Sequence, residues 1–165
     1  MASSASHSRL RYLKAITALA LLALVVSNVV WYLTYLSWRQ RESACLKDNA
    51  KALAVALGLI ASALQNQSRE SLSLAYVAAD HAVIIAQALR DLKGSHEWET
   101  LLSAVASLHD LVANMYQSNK ELSNNELTQV KDTITKLSQS LNTLDLRSIN
   151  EYSQELITLL ASFGV

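Results

Sequence analysis

The four histidines, the single cysteine and the 14 acidic side chains are the groups in this chain that could hold a metal or move a proton. Their spacing decides which of those chemistries is open. A metal centre in a helical bundle needs an imidazole with a second ligand three or four residues away or on a facing helix. His81 and His109 lie at similar distances from Gly94 and Ser95, so an antiparallel hairpin turning there would bring them to one level, with Asp80 and Asp110 beside them. No Glu-x-x-His pair accompanies them, and solvated or hydrogen-bonded surface histidines are the simpler expectation. No metal and no cofactor is expected. His96, followed by Glu97 and Glu99, suits the start of a helix. The chain contains no Gly-rich phosphate loop, nucleophile elbow, Cys-x-x-Cys pair or His-Glu-x-x-His helix, so no enzymatic activity is expected. Cys45 has no partner for an internal disulfide. It reads as a small apolar residue near a membrane, with an intermolecular bridge as the alternative. Asn66, Gln67 and Ser68 match a glycosylation acceptor, a pattern that arises readily by chance in a sequence this rich in Asn and Ser.

A second kind of chemistry belongs to Asn28. It is the most polar group, hydroxyls aside, in the stretch Ala15–Trp38, which carries no charge and is bracketed by Lys14 and Arg39. At 1.5 Å per residue a helix of about 24 residues spans about 36 Å, enough to cross a hydrocarbon core of about 30 Å. An amide inside such a segment loses its hydration unless it finds a partner, so Asn28, with small Ser27 and Ala23 nearby, is the candidate contact with another membrane helix. The competing reading is an Asn bonded to its own backbone or to a local water. Trp31, Tyr32, Tyr35 and Trp38 form an aromatic belt that would fix the depth of the helix end at headgroup level. These bulky residues, and the length of the segment, disfavour a cleaved signal peptide. A lipoprotein site at Cys45 is disfavoured by Glu42 three residues before it and by the intervening Arg39 and Arg41.

Charge sets the expected topology. Arg9, Arg11 and Lys14 precede the span with no acid, whereas all 14 acidic residues follow it. The N-terminal tail is therefore expected in the cytoplasm and the remainder outside, although Arg39, Arg41, Lys47 and Lys51 on the far flank weaken the asymmetry. The sequence divides into a short basic cytoplasmic tail (1–14), a transmembrane helix (15–38) and an extracytoplasmic helical bundle (39–165). The net charge of zero and the lack of a basic face exclude nucleic acid as an expected partner.

Helix is the only regular structure that this composition favours, with three Gly, no Pro and heavy use of Ala, Leu, Ser and Gln. The fold expected is all-α, a single N-terminal transmembrane helix continuing into an antiparallel bundle of four to five helices. Leu46, Ala50, Leu53, Leu57, Ile60 and Leu64 continue one apolar stripe beyond the membrane, so the first helix should run unbroken to about Gln65. A second helix, about Ser68 to Leu92, carries two apolar faces. Leu72, Ala75, Ala79, Ala82, Ala86 and Leu89 make one, while Leu74, Val77, Ile84, Ile85, Ala88 and Leu92 make the other; this predicts an inner position in the bundle. Gly94 should stop it and Ser95 should cap a third helix, ended by the polar segment from Gln117 to Lys120. Ser123 with Glu126 has capping-box spacing for a fourth helix, and Ser148 with Glu151 repeats that spacing for a fifth, from Ile149 to Phe163. A kinked continuation of the fourth helix is the alternative there. The terminal apolar segment is too short to cross a membrane, so one crossing is expected.

Seams suited to association, an intramembrane amide and no reaction chemistry point to a membrane-anchored accessory, scaffold or assembly subunit. Its expected partners are the lipid bilayer and other membrane subunits or copies of itself. In outline the region after the span resembles the extracytoplasmic four-helix domains of bacterial chemoreceptors and sensor kinases. That resemblance is architectural and implies a ligand-sensing module as the alternative, one that would need a partner subunit because no second crossing leads to a cytoplasmic output. A reversed orientation would instead make the body a cytosolic coiled-coil tether.

Overall fold

Without a proline, and with no glycine before Gly58, nothing interrupts the first helix of the computed structural model, which describes residues 3–118 and 121–164, with side chains from residue 21 onward. Helix α1 runs from Ser3 to Leu64, 62 residues in one piece. The side chains of Arg9, Arg11 and Lys14, and Asn119 and Lys120 in the expected end of the third helix, lie outside the described residues. By its internal contacts the chain divides into two units, Met1–Ser43 and Ala44–Val165. In the first unit every side chain described from Leu21 to Arg41 is exposed, including Leu22 at 67% and Trp31 at 69%. Two helices, α1 and the next, are long and apolar enough to cross a membrane.

The second unit comprises the rest of α1 and four further helices, α2 (Arg69–Lys93), α3 (His96–Ser118), α4 (Asn124–Thr143) and α5 (Leu146–Ser162). No strand occurs among the described residues. Each boundary has a local cause. Ser68 caps α2 by accepting the Ser71 N–H, and Gly94 ends it at φ 58°, where its N–H returns to the Arg90 carbonyl. Ser95 precedes α3 as expected, but its hydroxyl donates to the Glu97 carboxylate, while its carbonyl accepts from the Trp98 and Glu99 N–H groups. Ser123 and Glu126 form the full reciprocal capping box at the start of α4.

The start of α5 departs from the spacing of Ser148 and Glu151. Leu144 adopts the left-handed conformation at φ 56° and closes α4, so the chain becomes extended already at Asp145, whose carboxylate accepts the Ser148 N–H. Asp145 is the cap, and Ser148 lies inside the helix. The same left-handed residue rules out a kinked continuation of α4.

Helix α2 packs on α3, α3 on α5, and α5 on α4. Thus α5 packs against both α3 and α4. Bonds between helices fix their directions. Ser138 donates to the Ala54 carbonyl and Lys131 reaches Gln65, so residues advancing along α4 meet residues receding along α1. The same reversal holds for α2 with α3, through Asp80 and His109 about the Gly94 turn, and for α4 with α5, through Thr133 and Glu155 about Leu144. The core comprises Leu53, Leu57 and Ile60 of α1, the alanine line and Leu89 of α2, Trp98 to Met115 of α3, and the leucine and isoleucine seams of α4 and α5. Only one of the two apolar faces of α2 is buried. Leu74, Val77 and Ile84 are exposed, because within a single chain α2 is an outer helix. The inner position expected for it is not realised.

Candidate functional site

Three places bring functional side chains together, the first on the exposed part of α1. There Asn28 Nδ2 donates to the Leu24 carbonyl at 2.9 Å, so half of the amide is satisfied one turn back in its own helix. Its Oδ1 accepts no hydrogen bond from the described residues. Leu24, Asn28, Trp31 and Tyr35 follow one another at steps of four, three and four, and so share a stripe. Ala23, Ser27 and Thr34 lie on the adjacent stripe. Trp31 stacks on Tyr35 with ring centroids 5.8 Å apart, and the Arg39 guanidinium lies 5.7 Å from the Tyr35 ring centre. Tyr32 and Trp38 are exposed beside this column. Thr34 and Ser37 return their hydroxyls to the Val30 and Thr34 carbonyls, so neither competes for an outside partner through its proton.

The second place lies on the seam of α2 and α3. His109 is the histidine engaged there, its Nε2 lying 2.9 Å from Asp80 Oδ1 and its Nδ1 3.4 Å from Asp110 Oδ1. His81 is exposed and takes no part. The hairpin therefore does not bring the two imidazoles together as a ligand pair; it matches an imidazole on α3 with a carboxylate on α2. Tyr76 packs on both His109 and Tyr116, at 5.4 and 5.8 Å between ring centres. Among the described residues no three His, Cys, Asp or Glu side chains are grouped to hold a metal. The arrangement is a polar and aromatic clasp between neighbouring helices.

Among the described residues, the carboxylates held below their usual range are at helix ends. The Ser95 hydroxyl lowers Glu97, the Arg90 guanidinium lowers Asp91, and the Ser148 hydroxyl and N–H lower Asp145. Each shift follows from a capping or neighbouring bond, and none lies in a cavity with a nucleophile.

The third place is a groove of about 460 Å³ between α1 and α2, lined by Leu59, Ser62, Ala63, Asn66, Ser71, Ser73, Leu74, Val77 and Ala78. Its walls are apolar with hydroxyl edges. Spacing alone identified its α2 residues as apolar but placed them inside the bundle, since periodicity counts faces and cannot count neighbours. Nothing in the pattern announced the clamp made by Gln67, whose amide donates to the Leu122 carbonyl at 3.2 Å and accepts the Leu122 N–H at 3.3 Å.

No family model, curated protein or solved structure matches the chain.

Proposed function

We propose that this chain is a single-pass, membrane-anchored helical bundle that works by association, as an accessory, scaffold or assembly subunit without a reaction of its own. The observation that carries the reading is the stretch of α1 from Leu21 to Trp38, whose apolar side chains are exposed without exception. Large uncovered apolar surfaces on soluble proteins are rare and small, whereas lipid accepts them at no cost. The stacked column of Trp31, Tyr35 and Arg39 suits the headgroup boundary, where ring and charge are both accommodated. The membrane-helix contact through Asn28, Ser27 and Ala23 belongs to the same proposal; it is supported by the open Oδ1 and by the small neighbours that permit close approach. The N-terminal tail is assigned to the cytoplasm and the bundle to the outside, on the basic tail and the acidic residues confined to the far side.

Alkaline carbonate extraction of membranes carrying the full chain tests the anchor: the protein should stay in the pellet, and release into the supernatant would reject it. Cys45 is exposed, so an impermeant maleimide added to intact cells should label it. Labelling only after permeabilisation would reverse the orientation.

A further inference from the structure

We infer that Asn66 is the acceptor of an N-linked glycan, attached outside the cytoplasm at the turn between α1 and α2. The inference rests on the orientation given above, which puts the bundle on the side of the membrane where such glycans are added. The triplet Asn66-Gln67-Ser68 is weak evidence by itself, because a chain rich in Asn and Ser makes such a match by chance. Its place in the fold carries the argument. The chain has nine asparagines, and only Asn66 is followed two residues later by Ser or Thr. Among the described asparagines it is also the one that lies outside a helix. A chance triplet in a chain built almost wholly of helix would fall on a helix. This one occupies the four-residue turn, 65–68, between Leu64 and Arg69.

The side chains of the other two residues of the triplet have duties within the fold, and that of Asn66 has none among the described residues. Ser68 caps α2, its hydroxyl accepting the Ser71 N–H and donating to Ser71 Oγ at 2.8 Å. Gln67 takes the left-handed conformation at φ 43° and clamps Leu122. Asparagine visits that conformation more readily than glutamine, so a turn that selected asparagine for its backbone would have it at 67 rather than at 66. Asn66 is exposed, and its side chain makes no hydrogen bond among the described residues. It also lines the groove between α1 and α2. A glycan stem there rises beside exposed Leu74 and Val77, and its bulk and solubility limit what else can settle on that apolar face.

The chemistry is a group transfer from a lipid-linked oligosaccharide, made by a membrane glycosyltransferase. Asn66 Nδ2 forms a bond to the anomeric carbon, the bond from that carbon to the phosphate oxygen breaks, and the phosphorylated lipid leaves with the electron pair. The amide gives up one of its two Nδ2 protons and remains a secondary amide, so nothing is oxidised or reduced. Transfer takes place on the extended chain, before α2 closes and its cap takes up the Ser68 hydroxyl.

The test is cell-free synthesis of the full chain with rough microsomes, whose own lipid-linked oligosaccharide is the donor. One slower-migrating species is expected, and an N-glycan amidase should return it to the unmodified mobility. Asn66→Gln and Ser68→Ala should each abolish it, whereas Ser68→Thr, which keeps both the hydroxyl and the cap, should retain it. A parallel chain carries a C-terminal Asn-Gly-Thr extension that reports orientation by itself. Modification of the extension without modification of Asn66 would overturn the inference and leave the orientation standing. Modification of neither, with Cys45 labelled by an impermeant maleimide in sealed microsomes, would remove both, since the bundle then faces the cytoplasm. A slower species that persists in Asn66→Gln would also overturn the inference.

Discussion

Asn28 was legible in the sequence as the polar exception in an apolar segment, but its partner was not, because a side-chain amide one turn from a carbonyl can turn back as easily as outward. With one Nδ2 proton already held by Leu24, Oδ1 and the second Nδ2 proton are open to a neighbouring helix. Asn28→Leu should therefore weaken association in membranes by about 0.5 kcal/mol, near the average for such bonds in lipid; a loss of several kcal/mol, read from cross-linking yields, would show that the amide leaves Leu24 for a partner. Ser153 presents the opposite case. Its hydroxyl is fully buried on α5 with no hydrogen-bond partner among the described residues, at a place in line with Ile149, Leu156 and Leu160 that its polar type disguises. Removing an unsatisfied buried hydroxyl recovers its desolvation cost, so Ser153→Ala should raise stability by about 1 kcal/mol in urea unfolding. A loss of similar size would mean that a water or a neighbour satisfies the oxygen.

Helix boundaries were readable where the signal was a residue type and failed where it was a conformation. Gly94 and the Ser123 to Glu126 box are chemical signatures, and both ends formed as the types dictate. Leu144 at φ 56° carries no such signature. Its side chain is half-buried against the core, which offsets the strain of a left-handed leucine, and the helix that follows starts three residues earlier as a result. The Asp145 carboxyl is held below its ordinary value by the Ser148 hydroxyl and N–H. A carboxyl lowered on folding stabilises the folded state above its unfolded pKa and loses that contribution as pH falls through the folded value. Asp145→Asn should consequently flatten the acid limb of the stability curve below about pH 4, while Asp145→Ala should lower the melting temperature at neutral pH. An unchanged acid limb in Asp145→Asn would show that the cap does not depend on charge.

At the scale of the whole bundle, the 3,4 spacing marks the buried lines of α1, α3 and α4 and one of the two faces of α2, because burial along a helix follows its period; on α5 the buried line is Ile149, Ser153, Leu156 and Leu160, with Tyr152 and Leu159 only half-buried. The spacing could not give the order of helices around the core, which depends on contacts between residues far apart in the chain. Leu137 lies in the α4 seam and is fully buried, whereas Gln139 is exposed. Leu137→Asp should cost several kcal/mol through an unpaired buried charge, and Gln139→Asp less than about 1 kcal/mol. Equal costs in chemical denaturation would place the core on the wrong face of α4. The Gln67 to Leu122 clamp joins the α1–α2 turn to the start of α4 across 55 residues. Gln67 adopts φ 43°, a conformation that asparagine and glycine tolerate more readily, so Gln67→Gly should relieve the backbone yet cost stability by releasing the Leu122 pair.

The packing of α5 against both α3 and α4 also bears on how the protein is made. Sequential helices usually pair as they emerge from the ribosome, but here the sides of α3 and α4 that face α5 find their partner only when α5 follows them. While α5 is still within the exit tunnel, the sides of α3 and α4 that it will cover stay bare, and the nascent chain carries an unfinished apolar cleft. A chain truncated after Leu144 should therefore be protease-sensitive and bound by chaperones, whereas the chain that carries α5 is neither.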